Sequence, residues 1–171
     1  MELDHLIEQH STSRLNQMKA IFANIFILQN KLQTIFDKGN TNITLKQFML
    51  LTMIKQSGQK LTFTKLGQLL GCSRQNIKKL AALLEQKGFI TITQNPNDTR
   101  AATITPTSIM KDYFIEIEDY HKQILTLLFE DYTDEEIKRF FQTLTKLHGG
   151  IEKTEHYILG EINHEKNSCS L

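Results

Sequence analysis

The stretch LGQLLGCSRQNIKKL, residues 66–80, decides the fold. It holds two short helical patterns separated by Gly71, and Ser73 is a favoured N-cap residue at the start of the second pattern. In that second pattern apolar residues recur at i, i+3 and i+7, which predicts one buried face made by Ile77, Leu80 and Leu84. Gly67 leaves room for a crossing helix. Together these features predict a helix-turn-helix.

The remaining surface of the second helix carries polar side chains, namely Arg74, Gln75, Asn76, Lys78 and Lys79. Arginine, glutamine and asparagine make bidentate hydrogen bonds to guanine and adenine edges, whereas lysine suits phosphates. The N-terminal end of such a helix enters the major groove of DNA. We therefore predict that Gln75 faces base edges and that Lys79, one turn further along, faces a phosphate.

Two short β-branched runs follow this helix, at residues 89–93 and 101–105, and the turn-forming sequence NPND at 95–98 lies between them. The pattern predicts a β-hairpin, which makes the motif a winged helix-turn-helix. Arg100 follows the turn. It could enter a minor groove or pair with Asp98, and the sequence leaves both roles open.

Helices are also predicted before this motif. Apolar residues recur at three- and four-residue steps from Leu15 to Phe36, and Gly39-Asn40 ends that long pattern. Thr44 and Gln47 have the spacing of a capping box that opens the next helix, and Thr62 can cap the first helix of the helix-turn-helix.

Helices return after the hairpin. One is predicted over residues 109–129, and a capping box at Thr133–Glu136 opens another that runs through Ile158. Gly149-Gly150 would either kink this last helix or let a second backbone approach.

The predicted architecture is mainly α-helical with a small β-hairpin wing. Residues 41–107 form the winged helix-turn-helix, residues 1–40 contain an N-terminal dimerisation helix, and residues 108–171 contribute C-terminal helices that complete the dimerisation region. The terminal helices are amphipathic, and a second copy offers the apolar surface that they need.

Charge is segregated along the chain although the formal net charge is only +1. Residues 1–54 carry +1, residues 55–111 carry nine basic and two acidic residues for +7, and residues 112–171 carry −7. A basic block that contains the helix-turn-helix is the pattern of a module that binds a polyanion such as DNA.

Composition and simple motifs exclude several classes of protein. Cys72 and Cys169 form neither a disulfide framework nor a C-x-x-C pair, and the start MELDHLIEQH has no basic region typical of a signal peptide. We therefore expect a cytoplasmic protein without a membrane span. No nucleophile elbow, phosphate-binding glycine loop or zinc-protease motif is present, so we expect no enzyme and no cofactor.

Four short motifs then carry a resemblance: LG at 66–67, SRQNIKK at 73–79, LEQKGFI at 84–90 and DTRAATITPT at 98–107. The chain resembles the multiple-antibiotic-resistance regulator (MarR) family of bacterial transcription factors. The pattern L-E-x-K-G followed by two hydrophobic residues, with D-x-R ten residues beyond the glycine, is specific. The resemblance extends without a gap from Ile43 to Thr107, and the long flanking helices fit the same architecture.

The resemblance implies an obligate homodimer with interlocking N- and C-terminal helices, whose two winged domains read a pseudo-palindromic operator in double-stranded DNA. Repression is the commoner outcome in the family. The implied DNA-binding residues are Ser73, Arg74, Gln75, Asn76, Lys78 and Lys79 on the recognition helix, and Asp98 and Arg100 on the wing. The resemblance also implies that some phenylalanines could line a pocket for a small apolar or aromatic effector.

The wing departs from the family pattern in ways that make it less basic. Ile92-Thr93 and Thr99 stand where the family often has basic residues, and Pro106 stands where it usually has leucine. Because Pro106 has no N–H group, the second wing strand is predicted to end by Thr105.

The sequence also bears on three other interpretations. A winged-helix protein-interaction module without DNA binding should show an apolar patch on the face that here carries Arg, Gln, Asn and Lys. Cys72 is interpreted as a packed residue of the turn rather than a redox sensor. His148, Glu152 and His156 share one helix face, which a solvated surface explains as well as a zinc site does.

Overall fold

The computed structural model describes residues 13–39, 42–57, 61–95 and 98–168, with the side chains at 94, 95, 98–101 and 161–168 left out of the description. The chain divides into two compact units, one up to Glu116 and one from Ile117 onward. Seven helices and one small three-stranded sheet make up these residues. The predicted fold class is therefore confirmed. No described helix has both the length and the apolar character that crossing a bilayer requires.

The first helix, α1 (Arg14–Gly39), matches the long helix that the sequence predicted. The backbone N–H of Asn16 donates to the Ser13 hydroxyl at 3.2 Å, which satisfies one of the free donors of the first turn. No residue of α1 is buried within the chain. The predicted stop at Gly39 is confirmed, whereas Asn40 lies outside the described residues.

The second helix, α2 (Leu45–Ser57), begins at the predicted capping box. The Gln47 N–H donates to the Thr44 hydroxyl at 3.3 Å, and the Thr44 N–H donates to the Gln47 side-chain oxygen at 3.0 Å. The Leu45 N–H also donates to the Asp37 carboxylate of α1 at 2.6 Å, and the Phe36 and Phe48 rings lie 5.4 Å apart. These contacts hold the end of α1 against the start of α2.

The helix-turn-helix consists of α3 (Phe63–Leu70) and α4 (Arg74–Gln86). Each begins at the predicted cap. The Lys65 N–H donates to the Thr62 hydroxyl at 3.2 Å, and the Asn76 N–H donates to the Ser73 hydroxyl at 3.2 Å. Gly71 ends α3 with φ of 63°, a left-handed conformation that glycine adopts without strain.

The sheet contains β1 (Leu61–Thr62), β2 (Ile90–Asn95) and β3 (Asp98–Pro106), ordered β1-β3-β2 and antiparallel throughout. The predicted hairpin is confirmed, but the short strand β1 was not foreseen. It pairs Leu61 with Ile104, so β3 is the central strand.

The prediction that the second wing strand ends by Thr105 is wrong, because β3 includes Pro106 opposite Ile90. The Thr107 N–H donates to the Phe89 carbonyl at 3.1 Å, so positions 107 and 89 form a hydrogen-bonded pair. In an antiparallel ladder such pairs alternate with pairs that exchange no hydrogen bond. Pro106 occupies a position of the second kind, where its missing N–H costs no bond to β2.

The core of the first unit lies between α2, α3, α4, the sheet and α5 (Ser108–Glu116). Its largest fully buried side chains are Leu50, Leu51, Leu66, Ile77, Leu84, Ile90 and Ile104. The α5 helix adds Met110, Tyr113 and Phe114 to this core. This burial fixes the helix-turn-helix and the wing to one scaffold.

The second unit contains α6 (Glu118–Leu128) and α7 (Asp134–Ser168). The single helix predicted over 109–129 is wrong in one respect, because Ile117 separates α5 from α6. No proline or glycine marks this break. The second predicted capping box is confirmed: the Thr133 N–H donates to the Glu136 carboxylate at 2.9 Å, and the Glu136 N–H donates to the Thr133 hydroxyl at 3.3 Å.

Candidate nucleic-acid interface

The orientation of α4 is set by its buried face. Ile77, Ala81 and Leu84 each have no exposed surface, and they recur at i, i+4 and i+7. Leu80, which the sequence also placed inward, is half-buried. The face opposite this stripe must therefore point outward from the domain.

Gly67 permits α3 and α4 to meet closely. A Cβ atom added there would lie 2.6 Å from the Cys72 carbonyl oxygen and 3.5 Å from the Arg74 nitrogen, so any side chain would collide with the turn. The Cys72 N–H donates to the Gly67 carbonyl at 2.8 Å, which fixes the turn between the helices. The start of α4 is thus held by close backbone packing as well as by its Ser73 cap.

The outward side of α4 carries the residues that the sequence predicted for DNA contact. Its exposed polar side chains are Arg74, Gln75, Asn76, Lys78 and Lys79, with Ser73 exposed at the N-cap. Helical geometry puts Gln75 and Lys79 furthest from the buried stripe, about 6 Å apart along the axis. We call this surface, formed by Ser73, Arg74, Gln75, Asn76, Lys78 and Lys79, the reading face.

The far end of α4 is closed by a Schellman motif. The Phe89 N–H donates to the Leu84 carbonyl at 3.0 Å, and the Gly88 N–H donates to the Glu85 carbonyl at 2.9 Å. Gly88 has φ of 78°, and a Cβ there would also approach the Ile109 side chain to 3.0 Å. The glycine of the L-E-x-K-G motif is therefore required by the backbone.

The two charged residues of the same motif make contacts that sequence reasoning missed. The Glu85 carboxylate accepts a hydrogen bond from the Ile92 N–H of β2 at 2.6 Å. The Lys87 ammonium donates to the carbonyl oxygen of Asn42, just before α2. Residues in the last turn of α4 thus connect this helix both to the wing and to the segment between α1 and α2. The sequence motif showed that Glu85 and Lys87 are present, but it did not indicate which residues they contact.

The wing residues predicted to contact DNA lie on β3. Asp98 is paired with Asn95 at the tip of the hairpin, and Arg100 follows two residues later. The register shifts between Thr93 and Asn95, as in a β-bulge. The side chains of Asp98 and Arg100 lie outside the description, so the choice between an Arg100–Asp98 pair and a minor-groove arginine stays open.

Two exposed lysines of the positive segment also make contacts within the first unit. The Lys55 ammonium lies 4.4 Å from the centre of the Phe114 ring, a cation–π contact, and Lys87 donates to Asn42. Lys65 of α3 is exposed, beside the capped start of that helix. In a helix-turn-helix the first helix crosses the DNA backbone. Lys65 is thus a candidate phosphate contact that the sequence analysis did not single out.

Cys72 and the histidines considered as possible sensors are not among the residues of the reading face. Cys72 is half-buried, and its thiol lies 3.5 Å from the Leu70 carbonyl oxygen. His148, Glu152 and His156 are exposed on α7. Within the described residues no group of three or more histidine, cysteine, aspartate or glutamate side chains is placed to hold a metal ion.

Comparison with known families agrees with this geometry. Residues 43–102 match the MarR family, a segment that runs from the start of α2 into β3 and includes the reading face. The chain carries a MarR-family domain. MarR-family proteins are DNA-binding transcriptional regulators, so the match supports that function for the domain of residues 43–102. No curated protein sequence matches the chain significantly.

Solved structures share the fold at low sequence identity. A MarR/EmrR family regulator from Acinetobacter sp. ADP1 is 20% identical, with a TM-score of 0.68 over 79% of this chain and 96% of that one. The regulator BldR from Sulfolobus solfataricus is 13% identical, with a TM-score of 0.68 over 81% and 99% of the two chains. An organohalide-sensing regulator, solved with 2,4-dichlorophenol bound, is 18% identical, with a TM-score of 0.67 over 81% and 82%.

Proposed function

We propose that this MarR-family protein is a homodimeric repressor that binds a pseudo-palindromic operator. The α4 helix of each copy lies in a major groove, and the hairpin of β2 and β3 lies near the adjacent minor groove. The two half-sites are about one helical turn apart, as expected for helix-turn-helix dimers. The proposal rests on the reading face, where exposed base-reading and phosphate-binding side chains project from a helix whose ends are both fixed.

The electrostatics favour a polyanionic partner for this face. Of the described side chains on α4, Lys78 and Lys79 are exposed cations next to the amides of Gln75 and Asn76. Cations supply the salt-dependent part of the affinity, and amides supply the discrimination between bases. Lys55 and Lys87 are exposed as well, and each also makes a contact inside the unit.

The alternative of a protein-interaction module has less support from this helix. Leu83, 47% exposed, is the one large apolar side chain that α4 presents to solvent, and it lies beyond the polar first turns. Protein-binding surfaces typically offer a contiguous apolar patch. A single leucine behind a row of amides and cations does not provide one.

A second copy of the chain is the proposed occupant of the exposed apolar surface of α1. This helix leaves more than two-fifths of many large apolar side chains exposed, including Leu15, Met18, Ile21, Phe22, Ile25, Phe26 and Leu28. An exposed apolar surface of this extent marks an interface. A twofold dimer buries identical stripes against each other and also supplies the two reading faces that a palindrome requires.

Dimerisation is tested by sedimentation equilibrium at micromolar concentration. The proposal predicts a single species of twice the chain mass, and a stable monomer would contradict it. Phe22→Glu places a charge in the exposed stripe and is expected to shift the protein toward monomer. Lys19→Glu, on the same helix, is the matched control that adds a carboxylate at a polar position.

The DNA-binding part is tested with the duplex upstream of the protein's own gene and a scrambled duplex of equal length. At moderate salt the wild-type protein should bind its own upstream duplex at least tenfold more tightly. Equal affinity for both duplexes would contradict sequence-specific binding. Transcription from that upstream region, with and without the protein, then distinguishes repression from activation.

An aromatic effector is a further part of the proposal. Phe48 lies between Phe36 of α1 and Phe114 of α5, with ring centres 5.4 and 5.8 Å away. A ligand that inserted among these rings would shift α1 relative to the helix-turn-helix. A thermal-shift screen of phenolic compounds tests this idea, because a binding compound raises the unfolding temperature and should weaken DNA binding. If no phenolic compound raises the unfolding temperature, the proposal of an aromatic effector is contradicted.

A further inference from the structure

The N–H group of Ile92 lies on the open edge of the sheet. The strand order β1-β3-β2 makes β2 an edge strand among the described residues. Because Phe89 and Thr107 form a hydrogen-bonded pair, the alternation of the ladder makes Thr91–Thr105 another such pair. By the same alternation Ile92, the next residue along β2, pairs with Ile104 without exchanging a bond to β3. Its N–H therefore points away from the sheet.

The Glu85 carboxylate satisfies this edge donor. The distance of 2.6 Å from the Ile92 nitrogen to the Glu85 oxygen is that of a short, charge-assisted hydrogen bond. Glu85 also accepts, through its carbonyl oxygen, the Gly88 N–H that closes α4. Glu85 thus holds both the C-terminal end of α4, the recognition helix, and β2, the first strand of the wing.

Charge gives Glu85 a second, opposing effect. It is one of only two acidic residues between Lys55 and Lys111. A carboxylate close to bound DNA repels phosphates, so as an isolated charge Glu85 would weaken binding. Any favourable contribution must come through its hydrogen bond to the wing.

We propose that Glu85 is a positioning residue for the wing. By holding the Ile92 N–H, it sets the angle of β2 against α4, and β2 carries β3 and Arg100 with it through the paired register. The recognition helix and the wing then meet DNA as one rigid unit rather than as two independent elements. This inference rests on the proposed function, because it assigns a role in reading the operator.

The binding test is a double-mutant cycle on the duplex upstream of the protein's own gene. Glu85→Ala and Arg100→Ala are each expected to lower affinity by about three- to tenfold, the range that one hydrogen bond provides. The double variant should bind within twofold of Arg100→Ala, because a misplaced wing loses little once its arginine is gone. Glu85→Gln keeps an acceptor without the charge and should stay close to wild type. Gln86→Ala is the matched control.

Two results of the cycle would overturn the proposal. Stronger binding by Glu85→Ala would show that repulsion of phosphates is the dominant effect of the carboxylate. An unchanged cost of Glu85→Ala in the Arg100→Ala background would show that Glu85 acts independently of the wing.

Amide hydrogen exchange of the free protein tests the hydrogen bond itself, without DNA. The Ile92 amide should be protected in the wild type and should exchange at least tenfold faster in Glu85→Ala, whereas Glu85→Gln, which keeps an acceptor, should retain most of the protection. The Thr91 amide, which pairs with β3, should be unaffected. An unprotected Ile92 amide in the wild type overturns the inference even if operator binding is confirmed. Equal wild-type affinity for the upstream and scrambled duplexes overturns the proposed function instead.

Discussion

A methyl group on Gly67 would lie 2.6 Å from the carbonyl oxygen of Cys72, nearer than real Cβ atoms come to other atoms. The contact is with backbone, which cannot move aside as a flexible side chain can. Gly67 is buried, and its carbonyl accepts the N–H groups of Gly71 and Cys72. The residue therefore sets how closely α3 and α4 cross.

Gly67→Ala should destabilise the folded protein by about 1–3 kcal/mol, the usual cost of overpacking. It should also weaken DNA binding, because relief of the clash displaces the start of α4. Urea unfolding followed by circular dichroism measures the first effect. Gln68→Ala, exposed on the same helix, should change stability by less than about 0.5 kcal/mol. Equal stability of Gly67→Ala and wild type would contradict the close crossing.

The cap of α4 allows stability and binding to be separated. Ser73→Ala removes the acceptor for the Asn76 N–H and should cost about 0.5–2 kcal/mol of stability. Ser73→Asp restores an acceptor and favours the helix N-terminus electrostatically, so it should recover the stability. The same carboxylate would repel DNA phosphates and should lower affinity.

Unfolding curves and duplex titrations of both Ser73 variants check this prediction. If Ser73→Asp binds DNA as tightly as the wild type, the N-terminus of α4 does not face the duplex. Ser73→Asn is the control, because it restores the cap without adding charge.

The capping box of α7 should make that helix sensitive to acid. Hydrogen bonds from the backbone and then the side chain of Thr133 lower the pKa of Glu136 below its ordinary value. A lowered pKa means that the folded state favours the carboxylate. This contribution is therefore complete above the ordinary glutamate pKa and is lost as the pH falls through the lowered value in the folded protein.

Thermal unfolding of wild type and Glu136→Gln across the acid range tests the capping box. Glutamine keeps the reciprocal geometry without the titration. The stability advantage of the wild type should shrink as the pH falls. An advantage that stays constant with pH would show that ionisation of Glu136 does not contribute.

Patterns several residues long made much of the first unit predictable. Caps such as Thr44, Thr62 and Ser73 are local, because a side chain three residues away from its backbone donor can be recognised from spacing alone. The buried stripe of α4 followed from its period, and the exposed reading face followed as its complement. These are the features on which the interface depends most.

Features that depend on distant partners were not predictable in the same way. The strand β1 has two residues, too few for any alternation, and it exists because Leu61 meets Ile104 across the fold. The break at Ile117 carries no glycine or proline. Glu85 and Lys87 were visible as charges, but their partners Ile92 and Asn42 lie 7 and 45 residues away.

The most direct measurement of the central claim compares Gln75→Ala and Lys79→Ala on the upstream duplex and a scrambled duplex over a series of salt concentrations. We expect Gln75→Ala to lose about 1–3 kcal/mol on the upstream duplex and almost nothing on the scrambled one. Lys79→Ala should weaken binding to both by similar factors and lower the salt slope by about one unit. If Gln75→Ala weakens both duplexes equally, Gln75 does not read bases, and α4 is not seated in the groove as proposed.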